Sequence, residues 1–112
     1  MTTITLNKHS FNEQINHGVA LVNFYTPSCD ACQKQMPIVD ELATEIGRKA
    51  MIAHLNMDDE AELAAEFKVT SAPTILLFKD GYVIEKLMGL QSKDLLKQKV
   101  DQILQIARSC AK

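Results

Sequence analysis

A mixed β-sheet with helices on both faces is the fold this sequence predicts, and three observations carry that prediction. Val19 to Tyr25 is almost uninterruptedly apolar, the pattern of a central strand covered on both sides. Helical periodicity follows it, then a second apolar run from Ala50 to Met57, and strands joined through a helix in this way pair in parallel. Further on, Lys79-Asp80-Gly81-Tyr82 places an Asp-Gly pair between two apolar runs, the signal of a tight antiparallel hairpin. A parallel crossover and an antiparallel hairpin in one α/β chain make the sheet mixed.

Each element has its own reason. Thr2 to Leu6 alternates polar and apolar residues and predicts a short peripheral strand. Ser10 and Glu13 have the spacing of a capping box, opening a short helix that Gly18 stops. After the central strand, a helix from about Cys29 buries Met36, Val39, Leu42, Ala43 and Ile46, bends at Pro37 and ends at Gly47. Asp59 can cap a helix whose body is Glu60 to Phe67. Thr70 to Pro73 reads as a loop, Thr74 to Phe78 as a strand, and Tyr82 to Met88 as its antiparallel return. Gly89 breaks the pattern, and Ser92 caps a last helix with Leu95, Leu96, Val100, Ile103, Leu104 and Ala107 on its apolar stripe. The expectation is a single domain over residues 1–112, with a central mixed five-stranded sheet and about four helices.

At 112 residues and 46% hydrophobic, the chain is long enough for one core and too short for two. A formal charge of −2 and a pI near 5.9 give no general attraction to nucleic acid or to an anionic membrane. The apolar runs fall far short of a membrane span, and Met1 to Lys8 lacks the apolar core and cleavage site of a signal peptide. A reducing cytoplasm is the expected compartment. Three cysteines do not make a disulfide scaffold there, so a close pair points to redox or metal chemistry.

Cys29 and Cys32 are that pair. They stand at the start of a helix, just beyond the carboxyl end of the central strand, where free N–H groups and the positive end of the helix dipole favour negative charge on sulfur. Their i, i+3 spacing sets both sulfurs on one side of the first turn, which suits reversible disulfide exchange. Cys29, first at the helix end, is expected to attack; Cys32, one turn inward, is expected to resolve. Half of a zinc site is the alternative, but it needs two further ligands, and Cys110, His9, His17 and His54 supply no second paired spacing. Haem attachment would need histidine where Gln33 stands. Cys110 reads as an unpaired thiol, and His9 and His17 as surface residues.

The residues Val22-Asn23-Phe24-Tyr25, Cys29-Asp30-Ala31-Cys32, Pro37, Leu55-Asn56-Met57-Asp58, Ala72-Pro73-Thr74, Leu77-Phe78-Lys79-Asp80-Gly81 and Gly89 resemble the thioredoxin family over essentially the whole chain. The resemblance implies a thioredoxin fold and a protein dithiol–disulfide oxidoreductase that needs no bound cofactor. It implies that Pro73 is cis and faces the cysteines, and that Ala72 offers its backbone to an extended substrate segment, with Tyr25 and Gly89 flanking. The implied partners are protein disulfide substrates and a reductase that donates electrons; the protein is expected as a monomer. The chain departs from the family where Asp-Ala replaces the usual Gly-Pro between the cysteines, where Asn23 and His54 replace a buried aspartate and lysine, and where Tyr25 stands in for a tryptophan. Asp30 therefore sets a like charge beside the attacking sulfur and is a candidate for tuning the couple. Asn23 and His54 read equally as a satisfied buried polar pair and as a proton relay. A non-catalytic binding or scaffold module, or an oxidase or isomerase, are the other functions such a chain could carry.

Overall fold

In a computed structural model, residues 4–7, 10–16 and 18–110 are described, the side chains of 4, 5, 12 and 106–110 excepted. Strands β1 (Ile4–Thr5), β2 (Val19–Tyr25), β3 (Met51–Asn56), β4 (Thr74–Lys79) and β5 (Tyr82–Met88) form one sheet in the order β1-β3-β2-β4-β5. The central strand is the one the apolar run marked. It pairs in parallel with β3 and antiparallel with β4, so the sheet is mixed as expected.

Helices α1 (Phe11–Ile15), α2 (Asp30–Ile46), α3 (Ala61–Glu66) and α4 (Lys93–Cys110) divide between the two faces. Alternation along β2 decides the division. Ala20, Val22 and Phe24 pack with α1 and α3, whereas Val19 and Leu21 pack with α2 and α4. On the α1/α3 face, Phe11, Phe67 and Phe78 stack with ring centroids 5.2 to 5.8 Å apart. A 3-10 turn, Gly47–Lys49, follows α2, and Gly47 takes a positive φ of 64° that ends the helix.

The hairpin forms as its Asp-Gly pair requires: Asp80 and Gly81 have φ of 51° and 89°, and Lys79 pairs with Tyr82. Asp80 also ties the turn to the start of β2, its carboxylate accepting from Gly18 N at 2.8 Å while its own N–H donates to Gly18 O. A register shift between Leu77 and Phe78 distorts the β4/β5 ladder. β5 closes the sheet with Tyr82, Val83, Ile84 and Met88 exposed.

Three local expectations are corrected. Ser10 makes no side-chain cap on α1; its hydroxyl accepts from Asn7 N while Asn7 Oδ1 accepts from Ser10 N, a local exchange that competes with capping. α3 begins after Glu60 rather than Asp59 and has no side-chain cap, because Asn56 Oδ1 already turns the chain by accepting from Asp58 N. In α2 it is Gln35, not Met36, that is fully buried, Met36 lying half-buried. Ser92 does cap α4, accepting from Leu95 N at 3.2 Å. Among the described residues the first strand covers Ile4–Thr5; Thr2 and Thr3, His9, His17 and the side chains of Ala107 and Cys110 lie outside them.

Candidate active site

β2 ends at Tyr25, and the next residues turn the chain into α2, so the first residues of that helix stand at the carboxyl edge of the central strand. Cys29 is the N-cap of α2, in extended conformation, and is half-buried. Its sulfur occupies the place a capping oxygen usually takes and accepts the Cys32 backbone N–H at 3.1 Å. Cys32, inside the first turn, is buried with 1% exposure. Of the two sulfurs, only Cys29 is open to another protein.

A second segment closes over the pair. The Ala72–Pro73 peptide is cis, as the resemblance implies, and the Cys29 thiol donates to the Ala72 carbonyl at 3.5 Å. Pro73 is buried and Ala72 half-buried. Gly89, exposed and with a φ of 87°, donates its N–H to Pro73 O at 2.8 Å. Tyr25 is half-buried and Asp30 exposed. The Cys32 N–H and the Ala72 carbonyl thus meet at the Cys29 sulfur, and Gly89 joins them through its bond to Pro73, the residue after Ala72.

Asn23 and His54 do meet, as neighbours across the β2/β3 ladder, with Nδ2 and Nδ1 3.1 Å apart. Both are buried. The amide N–H donates, so Nδ1 is the accepting nitrogen and Nε2 carries the ring proton. That proton goes to a residue the sequence reading missed, Asp40 of α2, whose Oδ1 lies 3.0 Å from Nε2. Asp40 is half exposed, so the Asn23–His54–Asp40 series runs from the core to solvent. Asn23 Nδ2 also reaches Met36 Sδ at 3.4 Å, and Met36 follows Cys32 by one helical turn on the same face. Asn23 Oδ1, by contrast, is buried with no hydrogen-bond partner among the described residues. Tyr25 packs edge-on against the imidazole at 6.0 Å.

Burial pushes the Cys32 thiol up from an ordinary 9.0 to about 11, helped by its neighbour Cys29 and opposed by the Thr26 backbone. The sign follows. The folded dithiol holds this proton more tightly than the unfolded chain, so its contribution is complete below pH 9 and is lost as pH rises through about 11. Denaturant titrations of the reduced protein are expected to show a loss of roughly 2–3 kcal/mol across that window that Cys32→Ala lacks. Parallel pH curves for the two proteins would contradict the shift.

Among the described residues no three of His, Cys, Asp or Glu converge to hold a metal ion, and no helix is long and apolar enough to cross a membrane. What the arrangement can do is exchange disulfides. Comparison with known proteins agrees. The family model for thioredoxin matches residues 2–102. Thioredoxin from Staphylococcus haemolyticus is 36% identical over 104 residues, covering 93% of this chain and 100% of that protein. Thioredoxin from Bacillus subtilis is 34% identical over the same coverage. Among solved structures, a mutant thioredoxin from Halobacterium salinarum NRC-1 superposes with a TM-score of 0.82 at 29% identity, over 91% of this chain and 89% of that one.

Proposed function

The chain belongs to the thioredoxin family, and from that membership we propose how its own residues carry the reaction. It is a protein thiol–disulfide oxidoreductase. The observation that supports the assignment of roles is the asymmetry of the two sulfurs: Cys29 half-exposed at the N-cap of α2, Cys32 buried behind it. Cys29 thiolate attacks one sulfur of a substrate disulfide, forming a mixed disulfide and releasing the other sulfur as a thiolate. Cys32, deprotonated, then attacks Cys29 Sγ. The Cys29–Cys32 disulfide forms, the substrate's second thiolate leaves, and two electrons have passed from the protein dithiol to the substrate.

The substrate backbone lies against Ala72 and Pro73 in strand-like fashion, with Tyr25 and Gly89 flanking the groove. Asp30 is exposed, so solvent screens its charge and its tuning of the couple is small. His54, oriented by the Asn23 amide and with Asp40 behind it, takes the proton that Cys32 must lose. Net reduction in a cytoplasm, with electrons resupplied by a reductase protein to a monomer, is the setting this reading places it in, where it serves electron transport and redox homeostasis.

The reading is tested with insulin and dithiothreitol. The wild-type protein is expected to accelerate insulin reduction well beyond dithiothreitol alone. No acceleration would leave a module that binds through the Pro73 groove without turnover.

A further inference from the structure

Gln35 is 0% exposed, in a helix whose other buried side chains are apolar or the Cys32 thiol. A primary amide in a core is unfavourable unless its polar atoms are matched. Here both are matched by the main chain of one distant residue. Gln35 Nε2 donates to Gln91 O at 3.1 Å, and Gln35 Oε1 accepts from Gln91 N at 2.7 Å. The side chain thus pairs with Gln91 as a neighbouring strand would.

Gln91 extends the connection. Its own Nε2 donates to Met88 O at 3.0 Å and to Gly89 O at 3.2 Å. Gly89 N–H in turn donates to Pro73 O. An unbroken series of hydrogen bonds therefore runs from the helical turn after Cys32, through residues 88–91, to the cis-proline that follows Ala72, whose carbonyl accepts from Cys29. Filling the core does not require it, since methionine or leucine would occupy the same space without a polar group to satisfy. What the amide adds is direction: it fixes one loop backbone against one helix.

The held segment also carries the exposed apolar side chains Met88 and Leu90, on either side of Gly89. We propose that Gln35 is a positioning residue for protein substrates, holding the Met88–Gln91 rim at a set distance from the cysteine helix so that an extended, apolar-flanked disulfide segment fits between them. This rests on the reading that substrate backbone docks at Ala72 and Pro73. Gln35 touches neither substrate nor sulfur; it acts through Gln91 and Gly89.

The test separates binding from chemistry. Gln35→Met is compared with wild type in reduction of insulin and of a small disulfide, cystine, which is too short to span the rim. KM for insulin is expected to rise about three- to tenfold, the worth of the lost hydrogen bonds, with kcat and the cystine rate changed less than about twofold. Gln91→Ala removes the side-chain clasp on Met88 and Gly89 without altering the core, and is expected to shift KM the same way by less. It decides the matter where Gln35→Met fails to fold. An unchanged insulin KM in either folded variant, or equal loss with both disulfides, would overturn the proposal. A wild-type protein that reduces neither disulfide would instead defeat the underlying reading, and this one with it.

Discussion

Cys32→Ser is expected to stop turnover while leaving the first exchange intact, so that a protein disulfide substrate stays covalently attached through Cys29. The hydroxyl that replaces the buried thiol has the same connectivity in a slightly smaller volume but cannot displace sulfur from sulfur. Steady-state reduction should fall on the order of 10³-fold or more, as when a covalent catalyst loses a reacting group. Intact-mass measurement of the unreduced reaction should find one substrate chain per protein molecule. Cys29→Ser should fall as far but form no adduct, because Cys32 is 1% exposed and a protein substrate has no route to it. An adduct on Cys32 in that variant would reverse the proposed order of the two sulfurs.

Replacing His54 by glutamine is expected to slow the second exchange by about a hundredfold near neutral pH, within the usual range for a general base. The reason is the Cys32 thiol, pushed up to about 11. In the dithiol only about one such thiol in ten thousand is ionised at neutral pH, and in the mixed disulfide, where the Cys29 contribution is gone, burial still holds the thiol up. His54 is the titratable group proposed to help, with Asp40 of α2 holding its Nε2–H, Tyr25 of β2 packed against its ring and the Asn23 amide on Nδ1. Taking a proton on Nδ1 requires the Asn23 amide to turn. The turn brings Oδ1, the atom now without a partner among the described residues, onto the new N–H. Asp40 then faces an imidazolium rather than an imidazole, which favours the transfer. The measurement is the resolution rate of an isolated Cys29 mixed disulfide against pH. Wild type should level off at lower pH than His54→Gln, whose rate should keep climbing towards the thiol's own ionisation. Coincident curves would make His54 a packing residue.

Much of this site was legible because its signals are local. The apolar run of β2, the Asp80-Gly81 turn and the cysteines at a helix start each declare themselves within a few residues, and the structure places them as read. The polar residues behind the site were not legible, and the reason is physical. An aspartate midway along a helix reads as part of a solvated face, and Asp40 is indeed half exposed; only the pairing of β3 beside β2 brings His54 to it. Gln35 had a signal that went unused. Cys32, Gln35, Val39, Leu42 and Ile46 fall on one buried helical stripe, so a glutamine there needs partners in the core. Its partner lies 56 residues away, in a loop whose path no local pattern fixes. The cap expectations at Ser10 and Asp59 both fail beside an asparagine that turns the chain locally, Asn7 accepting from Ser10 N and Asn56 from Asp58 N.

The outer strand of the sheet has a bearing on how the protein behaves in a crowded solution. β5 is seven residues long and ends the sheet on that side, so its outward N–H and C=O groups could template another chain's strand. With Tyr82, Val83, Ile84 and Met88 exposed along it, this is where aggregation would begin. The shifted register between Leu77 and Phe78 twists the strand out of the flat geometry that edge-to-edge stacking needs. Lys86, its ammonium on the Lys68 carbonyl, and Glu85, paired with Lys99, set charges in the middle of the same strand. A stray strand laid against β5 would have to bury those charges and follow that twist, and so the sheet stops where the chain stops building it.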